Sequence, residues 1–559
     1  MAAQAGDWNE TKDFVAIGSG GGSMSSSLYL RSIGKETLVL EKTDMFGGST
    51  AMSGGVMWIP YNSLMRRAGV QDSYENAQAY LQATVGDVGP ASSPERRRAY
   101  LTTGPKMLEF LMAQGIRFVY PDGWSDYYDD RPGGVARSRS VVPAPFDMNE
   151  LGPWKDLVRR SPYTKLPIQA MEGVKLLNAK RSLSGAITAV RVAARTAKAR
   201  LLNQDLKVSG TSLQGQMLKA VLKAGGEVRL NSPCRELVQE DGRVVGVVTE
   251  KDGQPWRIRA REGVLINAGG FARNAEMRKK YQPQPSSTKW TNSNPGDTGE
   301  MINMAVALGA KIDLMDATIW TPGTYVEGQP RAYHANWIMS KPHLIAVDRH
   351  GRRFANEVES YMEFGQAMYR VGAVPAFLVF DQRHRGAYPW GQFDHFAPPG
   401  ITPRSWFENG YMKRADSLAE LARLCGIDPN GLEATVARFN EGARAGKDPD
   451  FRRGERAYDL VWGDSTHKPS AVLGTIEKPP FYGVELVPGD VGTFGGVLTD
   501  EHARVLKEDG VPIPGLYATG NSTASVMGRC YPGSGASVGA SCIFGYRAAR
   551  HASGTMENA

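Results

Sequence analysis

Near the N-terminus Asp13-Phe-Val-Ala-Ile17 runs straight into Gly18-Ser-Gly-Gly-Gly-Ser23, and this junction constrains the fold more than any other stretch. Phe14 to Ile17 read as a buried strand, an uninterrupted apolar run with β-branched residues. A helical run, Met24–Ile33, and a second apolar strand, Thr37-Leu-Val-Leu-Glu41, follow. Strand, glycine turn, helix and strand make a βαβ unit, which demands a parallel sheet. Gly18 permits the tight turn, and Gly20 lets backbone approach a pyrophosphate. Gly21 and Gly22 complete the run, ahead of a helix N-terminus with unpaired N–H groups. Glu41 ends the second strand, where a carboxylate would accept ribose hydroxyls, with Lys42 beside it. The third fingerprint glycine is replaced by Ser23, small enough to keep helix and strand close. The unit predicts a dinucleotide site.

A second glycine-rich loop follows, Met45-Phe-Gly-Gly-Ser-Thr50-Ala-Met-Ser-Gly-Gly55. It suits further backbone contacts along a longer cofactor and favours FAD over NAD; Gly48, Ser49, Thr50, Ser53, Gly54 and Gly55 are its candidate contacts. Further landmarks are Ala268-Gly269 after the strand Gly263–Asn267, Gly296-Asp-Thr-Gly299 opening a helix, and Gly515–Asn521. Gly520 and Asn521 close the site, with Ser537 and Val538 at the start of a last helix predicted over Ala536–Arg550. Together these segments resemble the fumarate-reductase-like flavoproteins over nearly the whole chain. No histidine lies beside Gly47–Thr50, so non-covalent FAD is expected. No second nicotinamide fingerprint is visible, so electrons would pass from the flavin to an external acceptor, a quinone or another.

At 559 residues the chain is too long for one small core. The expected class is α/β: a discontinuous Rossmann-like FAD-binding domain, residues 1–295 and 481–559, with an inserted α+β substrate-capping domain, 296–480. Helical patterns at Ser417–Gly426 and Gly431–Ala445 fall in the insert. The net charge of +8 is local. From Lys155 to Arg200 there are eleven basic residues against Asp156 and Glu172, so that segment carries 11 − 2 = +9. Within this 151–205 region, Leu183, Ile187, Val190, Ala194, Ala197 and Leu201 form a stripe, with Arg191, Arg195 and Lys198 off it. Such a helix either packs on its own domain or lies at a membrane surface. The patch lacks interleaved aromatics, so nucleic acid is not expected. No run approaches 18 uncharged apolar residues, and the first residues lack a secretory pattern. The expected location is cytoplasmic, or peripheral on the inner face of the membrane. Cys234, Cys425, Cys530 and Cys542 have no metal-ligand spacing and read as free thiols; no metal is expected.

Fumarate reductases deliver a proton-donating arginine shortly after an Asn-Glu pair. Here the stretch is Asn356-Glu-Val-Glu-Ser-Tyr361, with a tyrosine in the arginine's place. The last eighty residues lack the histidine and arginine that clamp a dicarboxylate, Arg529 being the nearest candidate. The resemblance narrows to the FAD-dependent 3-ketosteroid Δ1-dehydrogenases through Gly18–Ser23, Ser125-Asp-Tyr-Tyr128, Asn356–Tyr361, Pro488–Gly496 and above all Tyr531-Pro-Gly-Ser-Gly535. It implies that Tyr531 and the Gly535 N–H hold a steroid C3 carbonyl. It further implies that Tyr361, assisted by Tyr127, takes the C2 proton while flavin accepts the C1 hydride. Tyr127 and Tyr128 remain alternatives for the assisting role. Removing hydrogen from adjacent unactivated carbons requires acidifying one of them, and donors on a ketone oxygen do this at about 3 kcal/mol each. A phenol base has an ordinary pKa of about 10, so it needs a partner that favours phenolate. A Δ4-(5α)-dehydrogenase or another enzyme of the same fold is the close alternative; a non-catalytic flavin- or lipid-binding protein is the distant one.

Overall fold

The computed structural model describes residues 7–162, 166–177, 179, 181–392 and 395–556. Its largest sheet has eight strands. Glu10–Ile17 lies between Thr37–Leu40 and Gln254–Ile266, both parallel to it; their paired ends, Phe14–Ile17, Thr37–Leu40 and Val264–Ile266, are buried on both faces. Glu227–Arg229 extends the parallel order on one side and Pro512–Ala518 on the other. The registers Ile17↔Leu40, Ile17↔Ile266 and Ile266↔Ala518 bring four strand ends level. The loops that leave them, at Gly18, Glu41, Asn267 and Thr519, therefore converge on one edge, where α/β sheets bind ligands.

The helix after the first strand spans Gly21–Ser32, three residues earlier than the apolar pattern alone predicts. It packs along the last helix, Ala536–Ala552. A Cβ at Gly545 would lie 2.2 Å from the Gly22 carbonyl oxygen, so glycine lets the two backbones touch.

A second, four-stranded antiparallel sheet is built from Leu344–Val347, Ala376–Asp381, Phe481–Leu486 and Met412–Ala415. One face carries Phe380, Trp390, Trp406 and Tyr482. The other is covered by Leu418–Cys425 and Pro429–Ala445, close to the two helices read from sequence. The two cores divide the chain later than at 296 and 480. Met301, Ile302 and Ala305 pack under the large sheet, while Phe481–Leu486 pairs in the small one. Each segment follows the core its apolar side chains reach.

The basic segment folds into helices Ala170–Leu176 and Leu183–Leu201. Gly185, Thr188, Val192 and Ala199 form the buried face of the longer helix, where small residues allow close packing. The apolar stripe faces outward: Leu183 is 79%, Val190 70% and Leu201 86% exposed. Arg195 is not a free cation, because its guanidinium is held by both Glu172 oxygens at 2.6 and 2.8 Å. Arg181 pairs with Asp464 of the second unit at 2.8 Å. Lys165 and Lys180 lie outside the described residues. Among those described, no helix is long and apolar enough to cross a membrane.

Candidate active site

A cavity of about 1140 Å³ is lined both by the glycine turn and by residues around the second sheet. Its near end collects the loops at the level strand ends. Gly18, Gly20, Glu41, Lys42, Gly48, Ser49, Thr50, Ser53, Gly54, Ala268, Gly269, Gly520, Asn521, Ser537 and Val538 all line it. Gly21, Gly22 and Gly55, expected as contacts, do not. The Gly21 and Gly22 N–H groups are spent on Thr50 Oγ1 and Ser541 Oγ, both at 3.2 Å. Gly55 instead lies against Ser209 and Gly210, with no room for a Cβ. These three glycines shape the wall from behind.

Glu41 is buried and receives the Ser19 hydroxyl at 2.6 Å. Lys42 is held by Glu300 and by Thr298, the latter at 2.8 Å. Residues that single-sequence reasoning did not place here are Ser19, Asn294 and Asp297, although Gly296-Asp-Thr-Gly299 signalled the segment. Asp297 accepts from Ser49 Oγ at 3.3 Å, and burial pushes its carboxyl up to about 7 against the pull of Ser49 and Lys42. Asn294 Oδ1 is buried in the wall without a hydrogen-bond partner among the described residues. A cavity larger than most single-ligand pockets, walled by glycine backbone and by the buried Glu41 carboxylate, fits FAD with room for a second molecule.

Beyond it stand four tyrosines. Tyr127 donates to Tyr361 across 3.2 Å, with ring centroids 5.3 Å apart. Tyr531 lies 5.8 Å from Tyr127 and 5.4 Å from Tyr361, centroid to centroid. Tyr458, unread in the sequence, is 4.4 Å from Tyr127. Tyr128 points elsewhere, donating to Glu363 at 3.0 Å, so Tyr127 is the one that touches Tyr361. Nothing local marks Tyr458. It arrives because Asp129, two residues after Tyr127, accepts the Ala457 and Tyr458 N–H groups at 3.1 Å each.

The Tyr531–Gly535 loop is pinned from several sides. The Pro532 carbonyl accepts from Tyr80 at 2.6 Å and from the Tyr127 N–H at 3.1 Å. The Ser534 carbonyl accepts from Ser140 at 2.8 Å, and the Gly535 carbonyl from the Trp58 N–H at 3.2 Å. Gly535 adopts φ 87°, and a Cβ there would lie 2.2 Å from the Val56 carbonyl oxygen, so the position requires glycine. It caps the last helix without a side-chain acceptor, leaving N–H groups aimed at the cavity end where Tyr531 stands. The Tyr531 hydroxyl is 3.0 Å from Ser537 Oγ. Burial pushes the Tyr531 phenol up, opposed by Ser537, by the Gly535 and Ser537 N–H groups and by Tyr361. Tyr361 is pushed well above the usual phenol range by burial and by its neighbours Tyr127 and Tyr531. Arg529 is tied to Asp316 by two contacts of 2.8 Å and takes no part in the site. Among the described residues no cluster of His, Cys, Asp and Glu could hold a metal.

The FAD binding domain family model matches residues 13–538. A 3-oxosteroid 1-dehydrogenase of Mycobacterium tuberculosis (strain ATCC 25618 / H37Rv) is 40% identical, covering 96% of this chain and 98% of that one. A 4-oxocyclohex-2-ene-1-carboxylate 5-dehydrogenase of Sinomonas cyclohexanicum is 36% identical, covering 96% and 93%. The crystal structure of 3-ketosteroid delta1-dehydrogenase from Sterolibacterium denitrificans, in complex with 1,4-androstadiene-3,17-dione, superposes with a TM-score of 0.90 at 34% identity, covering 98% of this chain and 100% of that one. FAD is the cofactor. The chain belongs to the FAD-binding flavoprotein family of the 3-oxosteroid 1-dehydrogenases.

Proposed function

We propose that the protein introduces the C1–C2 double bond into 3-ketosteroids. The observation that carries this reading is the meeting of Tyr531, the Gly535 N–H and the Tyr361–Tyr127 pair at one end of a cavity that also holds the FAD site. The Tyr531 hydroxyl and Gly535 N–H hold the C3 carbonyl oxygen and stabilise the negative charge it gains as the C2–H bond breaks. Both are fixed before substrate arrives, so no reorganisation is needed during reaction. Tyr361, in its phenolate form, takes the C2 proton and becomes the neutral phenol, its oxygen oriented by the hydrogen bond that Tyr127 already donates. Bound FAD, held non-covalently, supplies the two-electron acceptor for the hydride that leaves C1. The helix N-terminus at Gly535 adds a positive field at the same end of the cavity.

The second, four-stranded unit, from about residue 321 to 487, serves as the substrate cap: it carries Tyr361 and Tyr458 and closes one side of the cavity. The outward-facing stripe of the Leu183–Leu201 helix, with Arg191, Lys198 and Arg200 near it, docks the protein on an anionic membrane surface, from which an apolar substrate would be drawn. Leu166, Ile168 and Leu177 of the same segment reach the cavity wall. An external acceptor such as a quinone reoxidises the enzyme.

Anaerobic mixing with a 4-ene-3-ketosteroid tests the reaction. Bleaching of the flavin absorbance together with a 1,4-diene-3-ketone product is the expected result. Bound FAD that no ketosteroid bleaches would reject it in favour of a flavin- or lipid-binding role.

A further inference from the structure

The cavity has a second polar station, built on one hairpin. Gly323–Thr324 pairs antiparallel with Tyr333–His334, and Arg331 sits just before the second strand. Arg331, His334 and Asn336 line the cavity beside the ring of Trp337. Gln392 donates to the His334 carbonyl at 3.3 Å and Asn292 to the Ala332 carbonyl at 2.9 Å, which fix the hairpin in place. His334 is buried, and its Nδ1 has no hydrogen-bond partner among the described residues. Burial, and then the charge of Arg331, push its imidazole down to about 4, so it stays neutral near pH 7 and keeps one N–H to donate.

Other cations on this wall are neutralised: Lys42 by Glu300, and Arg235 by Glu250. Arg331 has no carboxylate partner among the described residues. A ligand group would satisfy the buried polar atom left unpaired at His334. An unneutralised guanidinium beside it makes the local potential positive, and its planar fork matches a carboxylate. Tyr333 of this hairpin stacks on His395, and Thr324 meets the Tyr411 hydroxyl at 2.8 Å.

We propose that Arg331 and His334 form a subsite for a carboxylate borne on the steroid away from its 3-ketone, which makes 3-ketosteroids with an acidic side chain the preferred substrate class. This rests on the 3-ketosteroid reading above. The guanidinium takes the carboxylate oxygens, the neutral imidazole donates one further hydrogen bond, and Trp337 covers the adjoining apolar chain.

The test compares 3-oxochol-4-en-24-oic acid with its methyl ester, using androst-4-ene-3,17-dione as a neutral control. The unmodified protein should favour the acid by about tenfold or more in kcat/KM, since hydrogen bonds to charged groups contribute about 1.5–3 kcal/mol. The preference should sit in KM and shrink as salt is added. Arg331→Gln should reduce the acid-to-ester ratio by about tenfold with FAD content per chain equal to that of the unmodified protein, and His334→Phe should reduce it in the same direction. Equal use of acid and ester, or an undiminished ratio in Arg331→Gln, overturns the subsite. Loss of FAD from Arg331→Gln also overturns it, assigning the arginine to the cofactor. If Arg331→Gln does not fold, the acid-to-ester ratio and its salt dependence in the unmodified protein decide alone. Turnover of androst-4-ene-3,17-dione without an acid preference removes the subsite and leaves the reaction standing; failure to turn over any of the three removes both.

Discussion

As the proposed base, Tyr361 would work against its surroundings. Burial and three neighbouring phenols raise its pKa well above the ordinary value of about 10, so little phenolate exists at neutral pH. Because the folded group is raised, the phenolate fraction grows about tenfold per pH unit below its pKa. The expected profile is a kcat/KM that climbs from pH 7 toward pH 9 with a logarithmic slope approaching one. A flat profile from pH 6 to 10 would move the base elsewhere. Tyr361→Phe should lower kcat by about 10²–10⁴-fold with FAD content retained, the usual range for a lost general base. Tyr361 was legible in the sequence because it follows Asn356-Glu357 at the place of a known proton carrier. Tyr458 was not: Arg456-Ala-Tyr-Asp459 has no motif, and only the capping of its helix by Asp129 brings it to Tyr127.

Among the elements, the Leu183–Leu201 helix shows where periodicity stops being informative. Its spacing establishes an amphipathic helix, but either face could have been inward. The small-residue face won, because Gly185 and Ala199 let it approach its neighbours where Leu183 or Val190 could not. The helix packs on its own protein through that face and leaves the apolar stripe exposed, the surface that the proposed membrane docking would use. Val190→Glu with Ile187→Glu should reduce co-sedimentation with anionic vesicles several-fold while the FAD spectrum stays the same; unchanged sedimentation would leave the stripe without that role. Arg195, which the spacing sets beside Arg191 and Lys198 off the stripe, is committed to Glu172 and should contribute little to lipid binding.

At the scale of the whole molecule, the cofactor cavity is walled by segments far apart in the chain, from Gly18 to Ser541, so its occupant should hold them together. A ligand that binds only the folded state at 100 times its Kd adds about 2.7 kcal/mol. Removing FAD should therefore lower Tm by several degrees, restored on adding FAD back; an unchanged Tm would mean that the cavity wall stands without its cofactor. The sequence by itself determined the βαβ unit and the glycine loops that line the cofactor cavity, because glycine turns and strand ends are local features with narrow backbone requirements. Tertiary structure decided that Tyr127 rather than Tyr128 meets Tyr361, that Gly21, Gly22 and Gly55 stand behind the wall, and that Tyr458, Arg331 and His334 share the cavity. It also set the boundary between the two cores. These are long-range matters: they depend on which side chains from distant segments fit against one another, and no local pattern in the chain encodes that.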